Sequence, residues 1–421
     1  MILGKFKKQI NKDADNNCLL ALDIGTEFVK ALIAKVEGEE LKIIGVGRQH
    51  QALSDMHSGA IADIGGVVAN CEAALSEAEK QAGLQARRTV IGIAGELVKG
   101  MTHTIHYKRS QSDKPLDMRE MELIIQKVQD RAHQKAQRMV AWETGNDDVE
   151  VKLVNSAIVS IHIDGYKVSN PIGFQGKDVA IQIYTAFAPM VHIGALERTA
   201  QELDLDLLAV AAEPFAVSRS VLGVDASSNF TAILADVGGG TTDIAVVNDG
   251  GVEGTKMFGI GGRSFTRTLG SELDLSFEDA EKLKLNIDHE QLRPDVRQAA
   301  SEALDKTLEV WLNGVELTLS EFDALDHLPN RLLLCGGGAS LKKLVDALAE
   351  RDWYKNLPFS RRPVIQRIQP DQVQGIKDTT GKVNDHTYIT AMGLLRVGCD
   401  TMVVGNDAER LRDKFNRILS T

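Results

Sequence analysis

Cysteine is scarce in this chain: Cys18, Cys71, Cys335 and Cys399 are the only four in 421 residues, and none lies near another in sequence. They form no zinc-ligand spacing and no disulfide framework, a usage that suits a reducing compartment. No apolar run approaches the roughly 20 residues needed to cross a bilayer. Met1 to Asn17 lacks the long apolar stretch of a secretory signal, so the bulk of the chain is expected in the cytosol. Excess positive charge is missing too, with 48 Lys and Arg against 59 Asp and Glu and a net charge of −11. That balance argues against nonspecific nucleic-acid binding as the main activity. The P-loop ending Gly-Lys-Ser/Thr is absent, and no Gly-x-Gly-x-x-Gly fingerprint marks the first strand–turn unit where it would belong. His103 and His106 stand three apart in strand-like alternation and form no metal motif.

What the chain does have is a pair of glycine turns. Asp23-Ile24-Gly25-Thr26 and Asp236-Val237-Gly238-Gly239-Gly240-Thr241-Thr242-Asp243 each follow an apolar run fit for a buried strand and lead into another. Glycine at such a bend lets backbone N–H groups approach an anion closely. The leading aspartates Asp23 and Asp236 stand where they could hold Mg²⁺, directly or through its waters, against phosphate oxygens. Either turn alone is ordinary hairpin chemistry. Two of them, 213 residues apart in similar surroundings, read as a duplicated phosphate clamp, and nucleotide binding becomes the leading expectation.

Strand and helix signals organise the rest. Strands are expected at Leu19–Leu22, Phe28–Ala34 and Leu41–Gly47, followed by a helix near Gly66–Gln81. Asp117-Met118-Arg119-Glu120 reads as a capping box ahead of Met121, Ile125, Val128, Ala132, Ala136 and Met139 at helical spacing. Alternating runs at Ala157–Ile163 and Val179–Phe187 follow, with a hairpin turn at Asp164-Gly165. The segment 87–187 therefore reads as a compact inserted domain of helix and strands. Strand–helix rhythm then resumes, with helices at Val191–Leu203 and Pro214–Leu222, a strand at Gly251–Gly259, long helical patterns over Phe277–Leu285 and Gln291–Glu321, and a last long helix at His386–Cys399. The fold expected is α/β, with two halves facing each other across a cleft.

Several residues admit two readings. Gly336, Gly337 and Gly338 end one strand and open a helix, either as a tight connection or as a nucleotide contact. Gly261-Gly262 is either a hinge or a phosphate-side loop. Lys30, seven residues after Asp23, is either a solvated strand lysine or an amine returning toward the phosphates. Glu213, before Pro214 at a helix start, either compensates the helix dipole or positions water for attack on a terminal phosphate. Glu281 and Lys284 share one helix face as a surface ion pair worth about 0.2–0.5 kcal/mol.

Both ends carry amphipathic patterns. In Ala408–Leu419, the residues Leu411, Phe415, Ile418 and Leu419 fall on one side of a helical wheel, flanked or opposed by Arg410, Arg412, Lys414 and Arg417. This suits a helix in an anionic membrane interface, or one packed on the protein's own surface. Residues 1–17 form a shorter basic amphipathic segment.

These motifs resemble the actin-like ATPase superfamily and, within it, the FtsA family of bacterial cell-division proteins. Asp23–Thr26 is similar to the first phosphate motif, Asp236–Asp243 to the second, and Leu332–Ser340 to the adenosine motif. Glu213-Pro214 and Tyr388–Gly393 resemble the two segments connecting the halves. Ala280–Lys284 resembles the nucleotide-side helix, which makes Glu281 and Lys284 candidate ribose or base contacts. Ile161–Tyr166 through Asn170–Gly173 resembles the inserted subdomain of FtsA. The resemblance implies a first half at 18–86, continued at 188–222 and 386–403, an insertion at 87–187, a second half at 223–385 and a tail at 404–421. Glu27 departs from the pattern, placing a carboxylate beside a phosphate site where small or polar residues are usual.

What the resemblance implies is ATP with Mg²⁺ in the cleft, weak or no turnover, self-association into actin-like filaments, and a peripheral tether for the tubulin-like protein FtsZ. The place of action would be the cytoplasmic face of the cell membrane at the division site, with no nucleic acid involved. Four buried tail side chains contribute about 6–12 kcal/mol at most, before ordering costs, so one tail binds reversibly and a filament of many binds by avidity. PilM, a pilus-assembly scaffold, shares the fold and a similar insertion and is the alternative. A DnaK-type chaperone would need a further domain after residue 400, and a sugar kinase a catalytic aspartate that no residue here supplies.

Overall fold

The computed structural model describes residues 17–406, apart from 39, 96, 223–229, 290, 291 and 324. The tail residues Leu411, Phe415, Ile418 and Leu419, and the basic segment before Asn17, lie outside the described residues. Strands β1 (Cys18–Ile24) and β2 (Phe28–Glu37) form an antiparallel hairpin around the first glycine turn, and β3 (Glu40–His50) extends it. Every β1 residue is buried, as a continuous apolar run requires when both faces of a sheet are covered. A small ribbon of β4 (Met56–His57) and β5 (Ala60–Ile61) precedes α1 (Ile64–Ala82). Asp63 caps that helix by accepting from the Gly65 and Gly66 amides, and Gly83 ends it in the left-handed region. β6 (Arg88–Ile93) then runs parallel to β1, so the opening of the segment expected as an insertion is a strand of the first sheet.

β7 (Lys99–Lys108), α2 (Met118–Thr144), β8 (Val151–Ile163), β9 (Tyr166–Lys167) and β10 (Asp178–Pro189) follow. Asp117 caps α2 by accepting from the Glu120 amide, and Met121, Ile125, Val128, Ala132 and Ala136 are buried on one face, as their spacing predicts. Asp164 and Gly165 take positive φ at the β8–β9 turn, the conformation such a two-residue hairpin requires. The chain returns through α3 (Met190–Glu202), β11 (Asp206–Ala212) and α4 (Glu213–Leu222).

The second half starts with the hairpin β12 (Ala232–Val237) and β13 (Thr242–Asn248), extended by β14 (Gly251–Phe258). Helices α5 (Gly262–Leu273), α6 (Phe277–Leu285) and α7 (Pro294–Ser320) cover it, β15 (Arg331–Cys335), α8 (Lys342–Glu350) and β16 (Val364–Arg367) follow, and β17 (Ile376–Asp378) returns to the first sheet, parallel to β3. The final described helix, α9 (Ile389–Asn406), follows a single 3-10 turn over His386–Tyr388. Two large sheets result, ordered β11-β6-β1-β2-β3-β17 and β16-β15-β12-β13-β14-β7-β10-β8-β9. The inserted strands thus continue the sheet of the second half, through Gly254 opposite Met101 and Thr255 opposite Gly100. Between the halves run α4 and α9, which cross so closely that a Cβ on Gly393 would stand 2.0 Å from the Ala216 carbonyl oxygen. All four cysteines are buried, and no disulfide joins them.

Candidate functional site

A cavity of about 550 Å³ opens between the two halves, and it is here that the glycine turns converge. The two turns have one register. In the first, Asp23 faces Lys30 across the β1–β2 hairpin and the Gly25 amide donates to the Phe28 carbonyl at 3.1 Å. In the second, Asp236 faces Asp243 across β12–β13 and the Gly238 amide donates to the Thr241 carbonyl at 2.9 Å. The offsets from each aspartate are identical. The turns also meet reciprocally, because a Cβ on Gly239 would stand 3.0 Å from the Glu27 Cβ and one on Gly240 2.7 Å from the Thr26 hydroxyl. The third turn closes the floor. Gly336 has φ +79°, and a Cβ there would stand 2.0 Å from Asp236 Oδ1, so the position admits only glycine.

Charge in the cleft is dominated by carboxylates. Asp23, Glu213, Asp236 and Asp243 are all buried lining residues, and Lys30 stands among them. The Lys30 amine lies 2.8 Å from Asp23 Oδ2, which resolves its two readings in favour of an inward-facing group. Burial pulls the Lys30 pKa down, but attraction to Asp23 and the hydrogen bond outweigh it and leave the value raised. Burial, together with the charges of Asp23, Asp243 and Asp236, holds the Glu213 carboxyl well above the usual carboxylate range. Asp243 is raised in the same way by burial and by Asp236. Burial raises Asp236 as well, although it accepts a hydrogen bond from Thr390 of α9.

Asp243 Oδ2 accepts from Thr241 Oγ1 at 3.0 Å, while Oδ1 is buried with no hydrogen-bond partner among the described residues. This surplus of buried carboxylate fits a cation. Among the described residues no three His, Cys, Asp or Glu side chains are grouped to ligate a metal directly.

Most of the expected site residues line this cavity. Gly25, Thr26, Gly238, Gly239, Thr241, Glu281, Lys284, Gly336, Gly337 and Gly338 all do. Glu281 and Lys284 are paired at 2.7 Å, and the lysine amine also donates to the Gly262 carbonyl at 3.0 Å and to Thr266 Oγ1 at 2.9 Å. Thr266 donates to Glu281 in turn, so the pair is fastened to the start of α5 and is no loose surface contact. Gly240 and Thr242 do not line the cavity. Gly240 is packed against Thr26, and Thr242 is turned into the core, where Oγ1 donates to the Ile260 carbonyl at 2.7 Å and accepts from Trp311 Nε1 at 2.9 Å. Gly261-Gly262 lies against the second glycine turn, where the Gly262 and Arg263 amides donate to the Gly238 and Gly239 carbonyls at 2.9 and 2.8 Å.

Sequence reasoning missed two features. Asp243 repeats the seven-residue offset that placed Lys30 opposite Asp23, a signal that counting across the second hairpin would have found. Arg263, by contrast, reaches Glu27 over a separation of 236 residues, and no local pattern announces it.

Comparison with known proteins agrees with this geometry. A solved PilM-PilN type IV pilus biogenesis complex superposes with a TM-score of 0.65 at 15% identity, covering 90% of this chain and 98% of that one. Together with the two α/β halves and their paired turns, this likeness defines the class as the actin-like ATPase fold. Within that class the relatives in sequence are FtsA proteins. The family described as cell division protein FtsA matches residues 233–393. FtsA of Pseudomonas aeruginosa is 24% identical over 401 residues, covering 90% of this chain and 89% of that protein. FtsA of Bacillus subtilis is 22% identical over 407 residues, covering 91% and 84%.

Proposed function

We propose that this chain is an actin-like cell-division protein that binds ATP with Mg²⁺, polymerises, and tethers FtsZ filaments to the cytoplasmic face of the membrane at the septum. The observation that carries the nucleotide part is the duplicated hairpin clamp around one buried cavity. In this reading the turns present the backbone amides of Thr26, Gly239 and Thr241 to phosphates, Lys30 balances their charge, and Asp23 and Asp236 hold the cation's waters. Gly336–Gly338 accept the adenosine, with Glu281 and Lys284 at its ribose or base. Glu213, buried at the cavity wall, orients water in the same reading.

The cell-division part is supported by the FtsA relatives, and the membrane part by the amphipathic pattern of Leu411, Phe415, Ile418 and Leu419. The domain division belongs to the same proposal, with β6 and β17 moved from the segments 87–187 and 223–385 to the first half, whose sheet they join. Co-sedimentation of the full chain with FtsZ and anionic liposomes, in Mg-ATP, tests it. FtsZ should pellet with the liposomes, and deleting residues 406–421 should release both from lipid while FtsZ binding persists. Absence of FtsZ from the pellet would remove the tethering role. The likeness to the PilM-PilN structure supports a second reading, a pilus-assembly scaffold, in which an inner-membrane pilus peptide binds in place of FtsZ.

A further inference from the structure

We propose that Glu27 and Arg263 form a latch across the cleft that sets how fast nucleotide enters and leaves, an inference that rests on nucleotide binding in this cavity. Glu27 follows the first turn directly, and Arg263 stands in the first turn of α5 in the opposite half. The Arg263 Nε donates to Glu27 Oε2 at 2.7 Å, and Nη1 reaches the Leu53 carbonyl at 3.5 Å, so the guanidinium touches the first half at two points. Its side chain is 4% exposed, against 21% for Glu27. Both residues line the cavity.

Each partner is also held from behind. The Arg263 amide is bonded to the Gly239 carbonyl of the second turn at 2.8 Å, and Glu27 Oε1 is within 2.7 Å of His50 Nε2. The ion pair therefore ties turn to turn on the flank where Gly239 already presses on Glu27, and that flank is shut while the pair holds. A charge-assisted bond in a water-poor seam is strong. Arg263 Nη2, however, is buried without a hydrogen-bond partner among the described residues. A donor left unpaired in this way disfavours the shut arrangement. One strong bond set against one missing bond gives a contact that can open.

A latch and a ligand contact have different kinetic signatures. Removing a latch lowers the barrier in both directions, so entry and exit speed up together and the Kd is unchanged. Removing a ligand contact speeds exit alone and weakens the Kd.

Stopped-flow exchange of a fluorescent ATP analogue with Mg²⁺ on the full chain separates them. Glu27→Ala and Arg263→Gln should each accelerate entry and exit by about tenfold with the Kd held within about twofold, tenfold being the equivalent of about 1.4 kcal/mol. The charge-exchanged double variant Glu27→Arg with Arg263→Glu should return exchange toward the slow wild-type rate. Exit that quickens alone, with a weaker Kd, would make Arg263 a ligand contact and overturn the latch. So would wild-type exchange rates in Glu27→Ala, the more exposed position, which carries the test if Arg263→Gln does not fold. If the wild-type chain binds no analogue, nucleotide binding fails and takes the latch with it. If it binds and the variants exchange like wild type, the latch alone fails.

Discussion

Replacing Lys30 by methionine would probe the charge balance of the cleft. The Lys30 side chain is 13% exposed and that of its partner Asp23 4%, so the pair is effectively buried. Without Lys30, Asp23 keeps its burial, shares the cavity with Glu213, Asp236 and Asp243, and loses the ammonium bonded to it. Breaking a buried pair by removing one partner costs about 3–5 kcal/mol. The desolvation penalty of Lys30 itself is recovered, so a loss near about 3 kcal/mol is expected at neutral pH.

The pH dependence has a definite sign. Burial raises the pKa values of Glu213, Asp236 and Asp243, so the folded state takes up protons more readily than the unfolded state. The strain these groups impose is present above their raised values and is relieved as pH falls through them. Lys30 opposes the rise at Glu213 and Asp236, so its removal raises both further and the penalty should be smaller at an acidic pH than at a neutral one. The Lys30 contribution in the wild-type chain has the opposite sign. Its folded pKa lies above 10.5, so its stabilisation is complete below that value and is lost only as pH rises through the folded pKa.

Denaturant unfolding of wild type and variant at the two pH values measures this directly. Adding Asp23→Asn to the variant should recover about 2 kcal/mol or more, because the stranded charge is gone. A loss below about 1 kcal/mol at neutral pH, or one that does not change with acidity, would refute the assignment of Lys30 as the counter-ion.

Two further substitutions separate site from core. Gly336→Ala puts a methyl group 2.0 Å from Asp236 Oδ1 at a φ of +79°, and should cost more than about 2 kcal/mol in unfolding and abolish binding of an ATP analogue by fluorescence. Thr242→Val removes a hydroxyl bonded to Ile260 and Trp311 and should cost about 1–3 kcal/mol, while titration calorimetry finds nucleotide affinity as in wild type.

Local physics made much of this molecule legible. The run Leu19–Leu22 of β1 is apolar because both faces of the strand are covered, and α2 shows its buried stripe because only one face is. The glycine turns were visible because backbone close to an anion tolerates few other residues. Thr242 was misread for a related reason. A threonine in a glycine turn has the right chemistry for a phosphate, and only the β12–β13 register turns its hydroxyl toward Trp311. Contacts between distant segments left no trace in composition or spacing. The joining of β7 to β14 depends on Gly254 and Thr255 meeting Met101 and Gly100, none of which belongs to a recognisable motif. The pairing of Glu27 with Arg263 is of the same kind, although Glu27 already stood out as a charge out of place.

The common register of the two hairpins has one more consequence. Jaws related in this way would, if chemically alike, grip a phosphate from either side with equal preference. Seven residues after each leading aspartate stands an ammonium on one jaw and a carboxyl on the other, Lys30 against Asp243, and that difference removes the degeneracy. In the nucleotide reading proposed above, a chain of phosphates would lean toward the first jaw and a hydrated cation toward the second. The cleft would then have a handed polarity, set by side chains on a repeated piece of backbone.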